Sequence, residues 1–302
     1  MRLSRRRALA LLALNAAGPA FGDTGDTVRP LRVVASFSIL ADMLRNVGGS
    51  DVDVAALVGP DADAHVFEPR PADARRLAEA DLVAVNGLGF EGWIERLVAA
   101  SGYRGRVVVA SEGITPRRVG TVADPHAWQD LGHARRYVLN LRDALVRARP
   151  AQAVAFQARA ARYLEQIADL DAEVRRSLDG VPKERRRVIT SHDAFGYFAI
   201  AYGVEFLAAR GRNTGSEPSA ADVARLIDQI RAQRVGAILV ENITDPRLLE
   251  RIAREAKATL GGRLYSDALS APGTEADTYL KLFAHNAGMI ARTLKQASGR
   301  AE

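Results

Sequence analysis

A chain of 302 residues, 48% hydrophobic and 26% charged, has the composition of a folded, water-soluble protein with enough length for one large or two moderate domains. The net charge of +6 invites a nucleic-acid partner, yet Arg2, Arg5, Arg6 and Arg7 supply four of those charges, leaving about +2 scattered over helical stretches. There is no aromatic interleaving for base stacking, and the absence of cysteine excludes disulfides, thiolate metal ligands, a Cys nucleophile and a lipid-modified Cys.

The basic head, the apolar run Ala8 to Ala17 and the small-residue ending Ala20-Phe21-Gly22 read as a signal peptide over residues 1–22. The run is too short to span a bilayer, so export to the periplasm is expected, by the Sec route or, given Ser4-Arg5-Arg6-Arg7, a twin-arginine route. Leu31 to Ala35 then reads as a strand, and Ile39 to Val47 as a helix ended by Gly48-Gly49. Val52 to Val58 is a second strand, followed by a helix that opens on Pro71. Asp81 to Val85 and Arg106 to Ala110 are strands separated by a helix from about Glu91 to Ala100. This alternation predicts a parallel sheet with helices on its faces.

From Leu131 to Leu178 nearly everything favours helix, with Pro150 as the interruption. Ala151 to Leu178 predicts one helix of about 28 residues, ~42 Å long at 1.5 Å per residue. Strands are expected again at Arg187 to Thr190, Val204 to Ala208, Ala237 to Glu241 and Arg263 to Tyr265, with a last helix from Glu275 to Gln296. The basic run Arg185-Arg186-Arg187 is read as a solvated loop. The fold class is therefore α/β: two lobes, 23–149 and 181–302, each a parallel sheet flanked by helices, joined by a long helix within 150–180.

Five histidines are few enough for their placement to matter. His65, His126 and His192 lie in expected loops, His65 and His192 soon after strands, and Asp267 follows the strand at Arg263. Carboxyl ends of strands line the ligand crevice of open parallel sheets. Three neutral imidazoles and one carboxylate, drawn from both lobes, suit a tetrahedral divalent cation; zinc is favoured, with manganese or iron as alternatives. Any one histidine alone is as readily a local cap or packing group. His133 and His285, inside helices, are read as structural. Glu217 and Asp193 are candidates for orienting the imidazoles, with a plain surface role equally open for each.

No His-Glu-x-x-His pattern suggests a zinc protease, and adjacent Ser191-His192-Asp193 cannot meet as a triad. Gly87-Leu88-Gly89-Phe90-Glu91-Gly92 matches a dinucleotide fingerprint, but Glu91 would oppose a pyrophosphate; a tight strand-to-helix turn is the better reading.

Several segments in order resemble the metal-specific solute-binding proteins of ABC transporters, the zinc- and manganese-uptake group. They are His65-Val66-Phe67-Glu68-Pro69, Asn86-Gly87-Leu88-Gly89-Phe90-Glu91 with Trp93, and Asp124-Pro125-His126-Ala127-Trp128. Ser191-His192-Asp193-Ala194-Phe195-Gly196-Tyr197, Glu217-Pro218-Ser219 and Asp267-Ala268-Leu269-Ser270 continue the series. The resemblance implies a metal between the lobes, held by His65, His126, His192 and Asp267, with no enzymatic activity. It implies Zn2+ over Mn2+, because manganese members tend to carry Glu where His192 stands. It also implies delivery to an ABC permease in the cytoplasmic membrane, with a periplasmic metallochaperone as a second candidate partner, by a monomer that shifts its lobes only modestly on release. The His-rich loop of many zinc members is absent, since Ser111 to Asp124 contains no histidine. A periplasmic metallohydrolase and a metal-dependent adhesin are the competing readings.

Overall fold

The computed structural model describes residues 29–299 apart from Arg234 and Gly236, so the signal-peptide reading of residues 1–22 lies outside the described residues. The first lobe contains β1 (Leu31–Phe37), α1 (Ser38–Gly48), β2 (Val52–Val58), α2 (Pro71–Ala78), β3 (Leu82–Val85), α3 (Ile94–Ser101) and β4 (Val107–Val109). The strands are parallel in the order β2-β1-β3-β4, with Val33 beside both Val54 and Leu82. The central strand β3, Leu-Val-Ala-Val, is buried throughout, as a sheet covered on both faces requires.

A two-stranded hairpin, β5 (Arg118–Val119) and β6 (Val122–Ala123), follows in the histidine-free stretch before Asp124, for which no strands were expected. Then come α4 (Leu131–Ala148) and α5 (Ala153–Leu178), separated at Pro150 by a single 3-10 turn because proline cannot continue the preceding helix. At 26 residues α5 is ~39 Å long. It buries Phe156, Ala160, Tyr163, Ile167, Leu170, Val174 and Leu178, a stripe at spacings of three and four, against α4, α1 and the last helix.

The second lobe holds β7 (Arg187–His192), α6 (Gly196–Tyr202), β8 (Glu205–Arg210), α7 (Ala220–Gln233), β9 (Ala237–Glu241), α8 (Arg247–Ala256), β10 (Thr259–Leu264) and α9 (Tyr279–Gly299). Its parallel sheet runs β8-β7-β9-β10, the same winding as the first. One continuous apolar core runs from β1 and β3 through α4 and α5 to Phe195, Phe198, Tyr279 and Phe283. A separate cluster around Ile189, Ile227, Ile238 and Ile252 packs α7 and α8 on the second sheet. The lobes are thus joined by core, not by a loose linker. No described helix is long and apolar enough to cross a membrane.

Three boundaries differ from expectation for identifiable reasons. The helix expected from Glu91 begins at Ile94, because the buried Glu91 carboxylate accepts the backbone N–H of Asn86 and Gly87 and belongs to the turn. That turn has positive φ at Gly87, Leu88 and Gly89, so the glycine-rich motif serves a tight strand-to-helix reversal. β10 starts at Thr259, not Arg263; Gly261 and Gly262 disguise it, and a Cβ on Gly261 would press 2.6 Å from the Leu239 side chain of β9. The last helix starts at Tyr279, whose backbone N–H is capped by the Asp42 carboxylate of α1 at 2.9 Å.

Candidate metal centre

Both sheets direct the carboxyl ends of their strands toward the junction of the lobes. His65 lies in the loop after β2, which Trp93 fixes by donating from Nε1 to the Ala64 carbonyl at 2.8 Å. The His65 backbone N–H is held by Asp63 Oδ1 at 2.8 Å, and its ring stands edge-on to Phe90 at 4.8 Å. His126 follows Pro125, whose carbonyl accepts from Asn86 Nδ2 at 2.9 Å, and precedes a short turn, Ala127–Gln129.

His192 is the last residue of β7 and not, as expected, a loop residue, because the strand continues through the buried Ser191-His192 pair beside Glu241. Asp267 lies just past β10. Its neighbour Ser266 offers one carbonyl to both Trp128 Nε1 and Gln129 Nε2 of the first lobe, at 3.0 and 2.8 Å. Leu269, two residues on, donates its backbone N–H to Ser38 Oγ and accepts from the Asp61 N–H. The Asp267 loop therefore belongs to the second lobe by sequence and is fastened to the first by hydrogen bonds.

One ligand atom from each of His65, His126, His192 and Asp267 falls within 4.8 Å of all the others. His65 Nε2 lies 3.3 Å from His126 Nε2 and 3.2 Å from Asp267 Oδ2; His192 Nε2 is 3.1 Å from the same oxygen, and His126 Nε2 is 3.7 Å from Oδ1. The side chains of His126, His192 and Asp267 are fully buried, and that of His65 is 3% exposed. Asp267 Oδ1 is buried without a hydrogen-bond partner. Three nitrogens and an unsatisfied carboxylate oxygen gathered in one buried place form a donor set suited to a cation.

The electrostatics match. Burial alone would push the Asp267 carboxyl up, but His192 and then His126 outweigh it and hold the acid well below the usual carboxylate range. Burial alone would lower the pKa of His192, but Glu241 and Asp267 outweigh it and hold that imidazole well above its ordinary value. Proton and incoming cation therefore compete for the His192 ring.

The carboxylates that orient the imidazoles are not the two expected. Asp124 Oδ1 stands 2.8 Å from His126 Nδ1, and Glu241 Oε2 stands 2.5 Å from His192 Nδ1, both fully buried. Glu217 instead reaches out to Arg210 at 2.6 Å and is 74% exposed, and Asp193 lies 3.9 Å from Arg117; neither contacts an imidazole. The signals for the true partners were present: an acid two residues before His126, and an acid closing the apolar strand Ala237–Glu241. His133, beside Asp130 and edge-on to Tyr197, and His285, at the Arg263 carbonyl, stand apart from the cluster.

A family model described as zinc-uptake complex component A, periplasmic, matches residues 33–293. The chain belongs to this family. Its curated relatives include the manganese-binding lipoprotein MntA of Halalkalibacterium halodurans, 31% identical over 289 residues, covering 95% of this chain and 96% of the relative. The zinc-binding protein TroA of Treponema pallidum is 34% identical over 297 residues, covering 95% and 96%. The solved structure of TroA matches with a TM-score of 0.85 at 32% identity, covering 88% of this chain and 99% of that one. The iron-binding protein YfeA of Yersinia pestis is 31% identical over 288 residues, covering 94% and 92%. This is a family of metal-binding substrate-binding proteins of ABC transporters, not of enzymes.

Proposed function

We propose that this substrate-binding protein works outside the cytoplasmic membrane. It captures one divalent transition-metal ion, zinc in the first place, on His65, His126, His192 and Asp267, and delivers it to an ABC permease for uptake. One observation carries the reading: four donors, three of them imidazole nitrogens, converge from both lobes on one buried point. Relatives named for manganese, iron and zinc share the scaffold, so the metal must be argued from the donors. Three borderline-soft nitrogens with one oxygen favour zinc over manganese, which prefers more oxygen ligands. Four protein donors also saturate a tetrahedral ion, leaving no open position for an activated water.

The test is a chelator-competition titration of metal-free protein with Zn2+ and, separately, Mn2+. The expected result is one zinc per chain, with manganese bound more weakly. Replacing His126 by Ala removes a fully buried donor and should weaken zinc binding on the order of a thousandfold. Unchanged binding by the variant would defeat the ligand set, and tighter binding of manganese would defeat the choice of metal.

A further inference from the structure

The segment Ser111 to Asp124, which holds no histidine, contains the β5–β6 hairpin, and below its last strand pair one more backbone bond runs from Asp124 N–H to the Arg117 carbonyl at 2.8 Å. That bond sets the side chains of Arg117 and Asp124 beside one another. Arg117 Nη1 donates to Asp124 Oδ2 at 2.7 Å. The other oxygen, Oδ1, faces His126 Nδ1 at 2.8 Å and also accepts the His126 backbone N–H at 3.1 Å. The two oxygens of one carboxylate are thus divided between a guanidinium and an imidazole.

The second lobe clamps this arrangement. Tyr197 Oη accepts the Arg117 backbone N–H and donates to the Asp124 carbonyl, both at 2.9 Å. Gly196, at the start of α6, leaves the space the guanidinium fills: a Cβ there would stand 2.3 Å from Arg117 Nη1. Asp124 is fully buried, whereas Arg117 is 27% exposed on the wall of a surface groove it shares with Asp193, Arg210 and Glu217.

We propose that Arg117 is a positioning residue for metal capture: its guanidinium holds the Asp124 carboxylate, which in turn keeps the His126 imidazole turned with Nε2 toward the ion. Without that donor, Oδ2 is left buried and unpaired, and the carboxylate gains a reason to rotate away from the imidazole. Lysine supplies charge but not the planar fork, so it substitutes only in part. The inference rests on His126 being a ligand, as proposed above.

The experiment measures the dissociation constant for Zn2+ alone, by chelator competition, in wild type, Arg117→Met, Arg117→Lys, Asp124→Asn and the double variant Arg117→Met/Asp124→Asn. Arg117→Met should weaken binding about tenfold, within the range usual for outer partners of a ligand, with partial rescue in Arg117→Lys. In the Asp124→Asn background the Met substitution should change nothing further, since coupled partners are not additive. Wild-type affinity in Arg117→Met, or an effect that adds in full to Asp124→Asn, would overturn the proposal. If Arg117→Met fails to fold, Gly196→Ala replaces it: the added methyl pushes the guanidinium off Asp124 without deleting it, and the same weakening is expected, wild-type affinity again counting against the proposal. A wild-type affinity in His126→Ala would instead remove the underlying ligand assignment, which keeps the two failures distinct.

Discussion

The two lobes are wound alike and work differently. Sheets β2-β1-β3-β4 and β8-β7-β9-β10 have the same order of strands, all parallel, with their carboxyl ends toward the junction. The first lobe contributes two imidazoles, both carried on loops, one of them steadied by Asp124. The second contributes one imidazole fixed at a strand end and a carboxylate, with Glu241 behind the imidazole. Of the four converging donors, the one carboxylate, Asp267, therefore comes from the second lobe. The difference teaches that the winding supplies only a place where strand ends meet, and the chemistry is set by which residue each sequence puts there. It also locates the competition between proton and metal: in the second lobe, at His192.

The largest effect that can break this comparison is the dependence of zinc affinity on pH. Glu241 and Asp267 overcome the effect of burial and hold His192 well above its ordinary value, so a proton there competes with the metal to higher pH than at an ordinary imidazole. Metal binding must release it, and affinity falls as pH falls, tenfold per unit for each proton displaced. Zinc titrations carried downward from neutral pH should therefore show affinity falling steadily, by up to about tenfold per unit for this proton. An affinity constant across that range would show that no proton is displaced at the second lobe.

The second effect bears on how the lobes are joined. Asp42 of α1 is buried and caps α9 of the other lobe through the Tyr279 N–H. Burial raises its carboxyl to about 6 from 3.8, against the opposing pull of the Tyr279 bond and Arg45. A folded-state value above the unfolded one stabilises fully below the unfolded value and loses that stabilisation as pH rises through about 6. At about pH 7.5 the ionised acid therefore costs about 3 kcal/mol, from roughly two units at 1.36 kcal/mol each. Asp42→Asn, which keeps an acceptor for Tyr279, should recover about that much at neutral pH and far less near pH 4 in urea unfolding. Equal shifts at both pH values would show a packing effect and not the titration.

How legible the molecule was in its sequence follows the same division between scaffold and chemistry. Strands β2 and β9 end where their apolar runs end, and Pro71 opens α2, because burial and backbone geometry act locally there. β10 was hidden by Gly261 and Gly262, whose reason is a neighbouring strand that local pattern does not reveal. The positions of His65, His192 and Asp267 could be read because residues past parallel strands meet at one end of such sheets, whereas His126 follows an antiparallel hairpin and was placed by the family resemblance. Asp124, two residues before His126, and Glu241, closing β9, carried local signals, but nothing in the sequence ranked them above Glu217 and Asp193, since an acid's partner is fixed by tertiary packing. The hairpin that brings Arg117 to Asp124 gave no recognisable pattern either: its strands are two residues each.

The smallest effect sharpens the comparison most, because it sets the two orienting carboxylates against one another. Asp124→Asn and Glu241→Gln each keep the shape of the side chain and remove its charge, and each should weaken zinc binding about tenfold at neutral pH. They should part company as pH is lowered. Glu241 is the first of the groups that raise His192, so its amide variant lets the proton leave more easily and flattens the pH dependence. The Asp124 carboxylate faces the first-lobe imidazole His126 and the Arg117 guanidinium, and not His192, so Asp124→Asn should shift the whole curve and leave the His192 part of its slope in place. Parallel curves for the two variants would mean that the proton is shared between the lobes; a flat curve in Asp124→Asn alone would move the proton to the first lobe and reverse the assignment.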